Sequence, residues 1–156
     1  MNVARSQRLR SPLLLTLGAL LTFEAAGGLV LFWARLAYGG LPGERSHVLV
    51  GIPLALFYAV YLWQHWRRVS PFRARLDYAL GLIAALSLAA SLALGGVLGW
   101  LWWGSRGSGS PPHYPELVSA AHNITSMLVL TFVLAHLAAV LARDREPSRA
   151  ARRQDP

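Results

Sequence analysis

The chain has 156 residues, 54% of them hydrophobic, with a formal net charge of +8. That length leaves room for one domain, and so apolar a composition with its charges gathered into short clusters describes an integral membrane protein rather than a soluble globule. Cysteine is absent, which excludes disulfides, zinc-thiolate centres, iron-sulfur clusters and covalently attached c-type haem.

An N-terminal stretch carrying Arg5, Arg8 and Arg10 leads into the first long apolar run, Pro12 to Leu36. It exceeds the roughly 7–15 residues of a signal-peptide core, so it reads as a retained span. Three further runs follow, from His47 to Trp66, Tyr78 to Trp103 and Leu117 to Ala142. Each is near the roughly 20 residues that cross a hydrocarbon core as helix, the form in which a lipid-exposed backbone satisfies its own hydrogen bonds. The fold expected is all-α, a four-helix membrane bundle over 12–142, with 1–11 as a cytoplasmic N-terminus and 143–156 as a solvated, Arg-rich cytoplasmic tail.

All fifteen basic residues are arginines, and twelve of them flank one side: Arg5, Arg8, Arg10, then Arg67, Arg68, Arg73 and Arg75, then the five from Arg143 to Arg153. Arg35, Arg45 and Arg106 lie on the other. The positive-inside rule then puts both termini in the cytoplasm, in a bacterial-type inner membrane. Trp33, Trp100, Trp102 and Trp103 mark the outer interface and Trp63 and Trp66 the inner one. The net charge is thus a matter of topology, and no nucleic-acid partner is expected. "YGGLPGERS" is a turn, and "GSRGSGSPPHYPE" is an outer loop holding the exposed His113. Phosphate loops, nucleophile elbows and zinc-protease motifs are missing from the sequence.

Four histidines sit on two helices, His47 and His65 on the second, His122 and His136 on the fourth. Measured from each helix centre, His47 matches the depth of His122 and His65 that of His136, each to within roughly 3 Å. The 18-residue interval is five whole turns, and the 14-residue interval falls about 40° short of four, so both imidazoles on a helix share a face. If the faces meet, the bundle holds two bis-imidazole sites on the order of 21 to 27 Å apart, the arrangement that ligates haem iron. Another metal, a proton relay and plain interhelical hydrogen bonding are the competing uses. Zinc is the weaker metal reading, since two histidines leave its tetrahedron half filled.

The fourteen-residue spacing of His122 and His136 resembles that of membrane b-type cytochromes, both the quinol-oxidising cytochrome b group and the compact four-helix flavinylation-associated cytochromes. "QHWRR" at 64–68 is similar to the exit of a ligand helix in the compact family, and "FEAAGGLVL" at 23–31 resembles a pre-haem stretch, with Glu24 followed four positions later by Gly28. The chain departs from that pattern at Tyr61, which stands fourteen residues after His47, so the inner ligand on helix two is His65, with Pro53 a means of shifting the lower half of that helix. The resemblance implies haem b, two or one, held by His47 and His122 and by His65 and His136, and electron transfer across the membrane. It further implies a quinone and a redox partner at the outer face, whether c-type cytochrome, flavoprotein or iron-sulfur protein. Arg45 and Arg106 outside and Arg67 and Arg68 inside are candidates for haem propionates. Glu24, the one carboxylate deep in a span, could accept a quinol proton or bond a histidine's second nitrogen. Gly27, Gly28, Gly81, Gly95, Gly96 and Gly99 could admit macrocycle edges, although for helix three close helix packing is the favoured use. A cofactor-free anchor subunit and a small proton-coupled transporter are the rival readings.

Overall fold

The computed structural model describes the backbone of residues 11–69, 75–107 and 111–152, and the side chains of 11–67, 75–107 and 111–142. Its four helices are α1 (Pro12–Tyr38), α2 (Glu44–Val69), α3 (Leu76–Ser105) and α4 (Glu116–Arg152). All four are long and apolar enough to cross a membrane, and no strand occurs among the described residues. The protein is a multi-pass membrane bundle.

Local signals explain the helix limits. Pro12 opens α1 at its first position, where a missing N–H is no loss. Gly39 closes it with φ +69°, its N–H bonding the Arg35 carbonyl at 3.0 Å; that left-handed φ suits glycine. Arg75 precedes α3 and grips Asp77 in its first turn, Nε to Oδ1 at 3.1 Å and Nη2 to Oδ2 at 2.8 Å. Helix α2 continues through Pro53. The backbone of α4 runs to Arg152, past the expected end at Ala142 and through Pro147. Arg5, Arg8, Arg10, Arg73 and Arg153 lie outside the described residues, as do the side chains of Arg68, Arg143, Arg145, Arg149 and Arg152.

Packing is by hairpins. Helix α3 lies against α4 along most of its length, α1 against α2 less extensively, and the two hairpins meet more sparsely. Their shared core is Leu17 of α1, Leu54 and Tyr58 of α2, Leu88 of α3 and Val129 of α4. Tyr58 also ties the hairpins together, its hydroxyl donating to the Ala85 carbonyl at 2.7 Å. Large apolar side chains such as Leu56, Leu86 and Leu134 point outward and stay exposed, as expected of surfaces that meet lipid rather than water. The end bearing the 39–43 and 106–115 connections is termed upper here, and the opposite end lower. Of the tryptophans expected in an interfacial belt, Trp33, Trp100 and Trp103 are exposed at the upper end, but Trp102 is buried, with Arg106 stacked over it at 4.8 Å.

Candidate functional site

Above the central core, the hairpins part around a cavity of about 680 Å³. Imidazoles enter it from α2 and α4. The rings of His47 and His122 lie 6.3 Å apart between centroids and are inclined at 73°, so the depth and face matching deduced from sequence brings this pair together.

His122 Nδ1 is hydrogen-bonded, whereas His47 Nδ1 is in close polar contact with Glu24 without a hydrogen bond. Glu24, on α1, places Oε2 2.6 Å from His47 Nδ1. The approach is close but not in line with the ring hydrogen, and Glu24 Oε1 meets no hydrogen-bond partner among the described residues. Glu24 is only 8% exposed, and a carboxylate so withdrawn from water and lipid needs a polar neighbour. Of the two uses expected for Glu24, contact with a histidine's second nitrogen is the one its position provides. On the other side, His122 Nδ1 donates to the Ser91 carbonyl at 3.0 Å, with the donor role following from a carbonyl's inability to donate. Ser126 donates to the His122 carbonyl at 2.7 Å, which leaves Ser91 to donate its hydroxyl to Ser126 at 2.8 Å. The α3–α4 side of the cavity is therefore fixed by a short polar network.

Glycines lie against both rings. A Cβ added at Gly28 would come within 3.4 Å of His47 Cε1, and one at Gly95 within 3.1 Å of His122 Cε1. Gly27 is slightly farther from His47 Nδ1, at 3.8 Å. On α3, Gly95 lies against the His122 imidazole of α4 and Gly81, lower down, against that of His136, while Gly99 faces Val48 of α2 and Gly96 meets nothing within 4 Å.

The lower pair is built differently. His136 Nδ1 donates to the Asp77 carbonyl at 2.7 Å, and a Cβ at Gly81 would stand 3.0 Å from the same ring. His65 is paired within its own helix, its Nδ1 3.2 Å from the Tyr61 hydroxyl and its ring stacked on Tyr61 at 5.1 Å. Tyr61, the residue that breaks the family-like spacing, is thus the neighbour that holds His65. The upper cavity ends at the core and does not reach His65 or His136.

At the mouth of the cavity the structure adds three residues that sequence reasoning passed over. Arg35, Glu44 and Tyr114 line it, and the Tyr114 hydroxyl donates to Glu44 Oε1. Burial first, then the Glu44 carboxylate, pushes the Tyr114 hydroxyl well above the ordinary tyrosine value, with Arg35 opposing. Arg45 is exposed and does not line the cavity, and Arg106 is stacked on tryptophan. Arg67 lies over Trp63 at 4.6 Å. His113 is exposed in the upper loop.

No protein family, curated protein or solved structure matches this chain. Its chemistry therefore has to be read from the cavity itself. Two imidazoles on opposite sides of one metal, each bonded at about 2 Å, have ring centres roughly 6 Å apart, close to the separation observed. The donor set, two neutral nitrogen ligands flanked by glycines in an apolar cavity, fits haem iron better than zinc.

Proposed function

We propose that this chain is a membrane b-type cytochrome that binds haem b in the upper cavity through His47 and His122 and carries electrons across the bilayer. The observation that carries this reading is the pair itself: two imidazoles from different helices, a two-ligand distance apart, with Nδ1 of His122 hydrogen-bonded to a carbonyl of α3 and Nδ1 of His47 turned to the Glu24 carboxylate of α1. Such engagement leaves Nε2 as the ligating nitrogen and fixes the orientation of each ring. Haem iron supplies one-electron chemistry at a potential set by its ligands and burial.

The protein's own residues do the rest. Glu24 and the Ser91 carbonyl hold the two rings; Gly28, Gly95 and Leu92 shape the cavity wall; the central core keeps it closed from below. Arg35, at the mouth, takes the propionate-pairing role first considered for Arg45 and Arg106. His65 and His136 are the ligands of a second haem in the lower half, the level at which Arg67 and Arg68 follow on α2. The arginine distribution supports a reading in which the lower end and both termini face the cytoplasm of a bacterial-type cell. Electrons then pass between a quinone in the bilayer and a partner at the upper face, in which the chain acts as the membrane subunit of a larger oxidoreductase.

The decisive measurement is a reduced-minus-oxidised spectrum of the purified protein with its haem content. Redox-dependent Soret and α bands with at least one haem per chain are expected. A flat difference spectrum with no extractable haem would sink the reading and leave a cofactor-free anchor.

A further inference from the structure

Three histidine seats in this bundle share one construction. On α3, the Asp77 carbonyl and Gly81 are four residues apart and together hold His136; the Ser91 carbonyl and Gly95, again four apart, hold His122. The two seats lie fourteen residues apart on α3, the same interval that separates the two histidines on antiparallel α4. On α1, Glu24 and Gly28 repeat the step for His47, with a side-chain carboxylate in place of the carbonyl.

The physical reason lies in helix geometry. A helical carbonyl already accepts the N–H of the residue four positions on, but it has a second lone pair. Side chains tilt toward the helix N-terminus, so the side chain at the fourth position overhangs that carbonyl. With glycine there, the carbonyl is bare and an imidazole from the next helix can lie over the glycine Cα and donate to it. At Gly81 a Cβ would sit 3.0 Å from both Cε1 and Nδ1 of His136, and at Gly95 3.1 Å from Cε1 and 3.5 Å from Nδ1 of His122. At both positions the ring would have to give by a few tenths of an ångström, away from the carbonyl it bonds.

We infer that Gly81 and Gly95 are positioning residues that select the Nδ1–H tautomer of His136 and His122 before any cofactor arrives, each by uncovering the carbonyl four residues upstream. A ring donating from Nδ1 carries its lone pair on Nε2, so the seat decides which nitrogen can bind metal. The geometry of the seats stands independently of the haem reading; their purpose rests on it. One consequence is that the α4 ligands in both halves are prepared alike, whatever happens on α2.

Ring-nitrogen NMR on the full chain in lipid nanodiscs, with ¹⁵N-labelled histidine and no added haem, tests this. Wild-type protein should show His122 and His136 each as a single neutral Nδ1–H tautomer. Gly95→Ala should shift His122 alone to a mixture of tautomers and Gly81→Ala His136 alone. Gly18→Ala, where a Cβ meets nothing within 4 Å, should change neither. Wild-type rings protonated at Nε2, or seat variants indistinguishable from Gly18→Ala, would overturn the inference. The wild-type spectrum decides even if a variant fails to fold. Adding haemin to the wild-type sample separates the two ideas: if the tautomers are as expected and the Soret band stays that of free haemin, without the sharp band of bis-imidazole ligation, the ligand reading fails and the seats stand.

Discussion

The upper and lower halves of the bundle carry the same four-residue step on α3 and the same imidazoles on α4, yet they differ on the α1–α2 side. In the upper half, His47 is held from a second helix by Glu24 and faces His122 across a cavity. In the lower half, His65 is bonded one turn back along its own helix to Tyr61. The difference shows that depth and face on a helix bring two imidazoles to the same level, while the contacts that hold each ring decide how firmly a site is organised. A ring held by a neighbouring hairpin partner is fixed when the hairpin forms.

The largest effect expected from this contrast is at the axial ligands. His47→Ala or His122→Ala should remove the upper haem entirely, seen as loss of one haem's share of the reduced-minus-oxidised signal, whereas His65→Ala should leave that share intact. If His65→Ala abolished all haem, the two halves would not be separable sites. Next comes Glu24→Gln, which keeps the shape and removes the charge. Outer partners of metal ligands typically matter about 10–100-fold in affinity, so haem retention should fall by that order, and the upper haem's midpoint potential should rise because a less basic imidazole stabilises the oxidised iron less. Tyr61→Phe, the corresponding change in the lower half, should alter only the lower haem's spectrum or potential.

Two smaller predictions concern the frame. Tyr58→Phe deletes the bond to the Ala85 carbonyl that links the hairpins and should cost about 1 kcal/mol, measurable as a lowered unfolding midpoint in detergent. At the mouth, a hydroxyl whose ionisation is pushed up favours the protonated form in the folded state. Its stabilising contribution is therefore present below the ordinary tyrosine value near 10 and lost as pH rises through the higher folded one. Tyrosinate absorbance should show a late-ionising component at alkaline pH, and Tyr114→Phe should reduce that component by one tyrosine's share.

Much of this was legible in the sequence. Four apolar runs of spanning length leave the backbone little alternative to helix, so α1 to α3 begin and end within three residues of where the runs do. The pairing of His47 with His122 followed from depth and helical phase, because both are fixed by rise and turn. The seats were not legible, since a glycine looks the same in sequence whether it faces lipid, a helix or a ring. Only knowing that α3 packs on α4 gives Gly81 and Gly95 their meaning. Arg35 was hidden by its value as a topology marker. It continues the face that begins at Glu24 and Gly28, at four and then seven residues' spacing, and that stripe was the available signal. Tyr114 and Glu44 are seventy residues apart, and no local pattern joins them.

The small core between the two histidine levels has a consequence for the membrane as a barrier. A bundle that opens a cavity from one face and lines it with a carboxylate and imidazoles invites water, and a water file reaching the other face would short-circuit any ion gradient. Leu17, Leu54, Tyr58, Leu88 and Val129 stand across that route as a dry plug. From Val129 to His136 the path is roughly 10 Å long at about 1.5 Å per residue, a span that, under the proposed function, would hold back protons while remaining short for an electron.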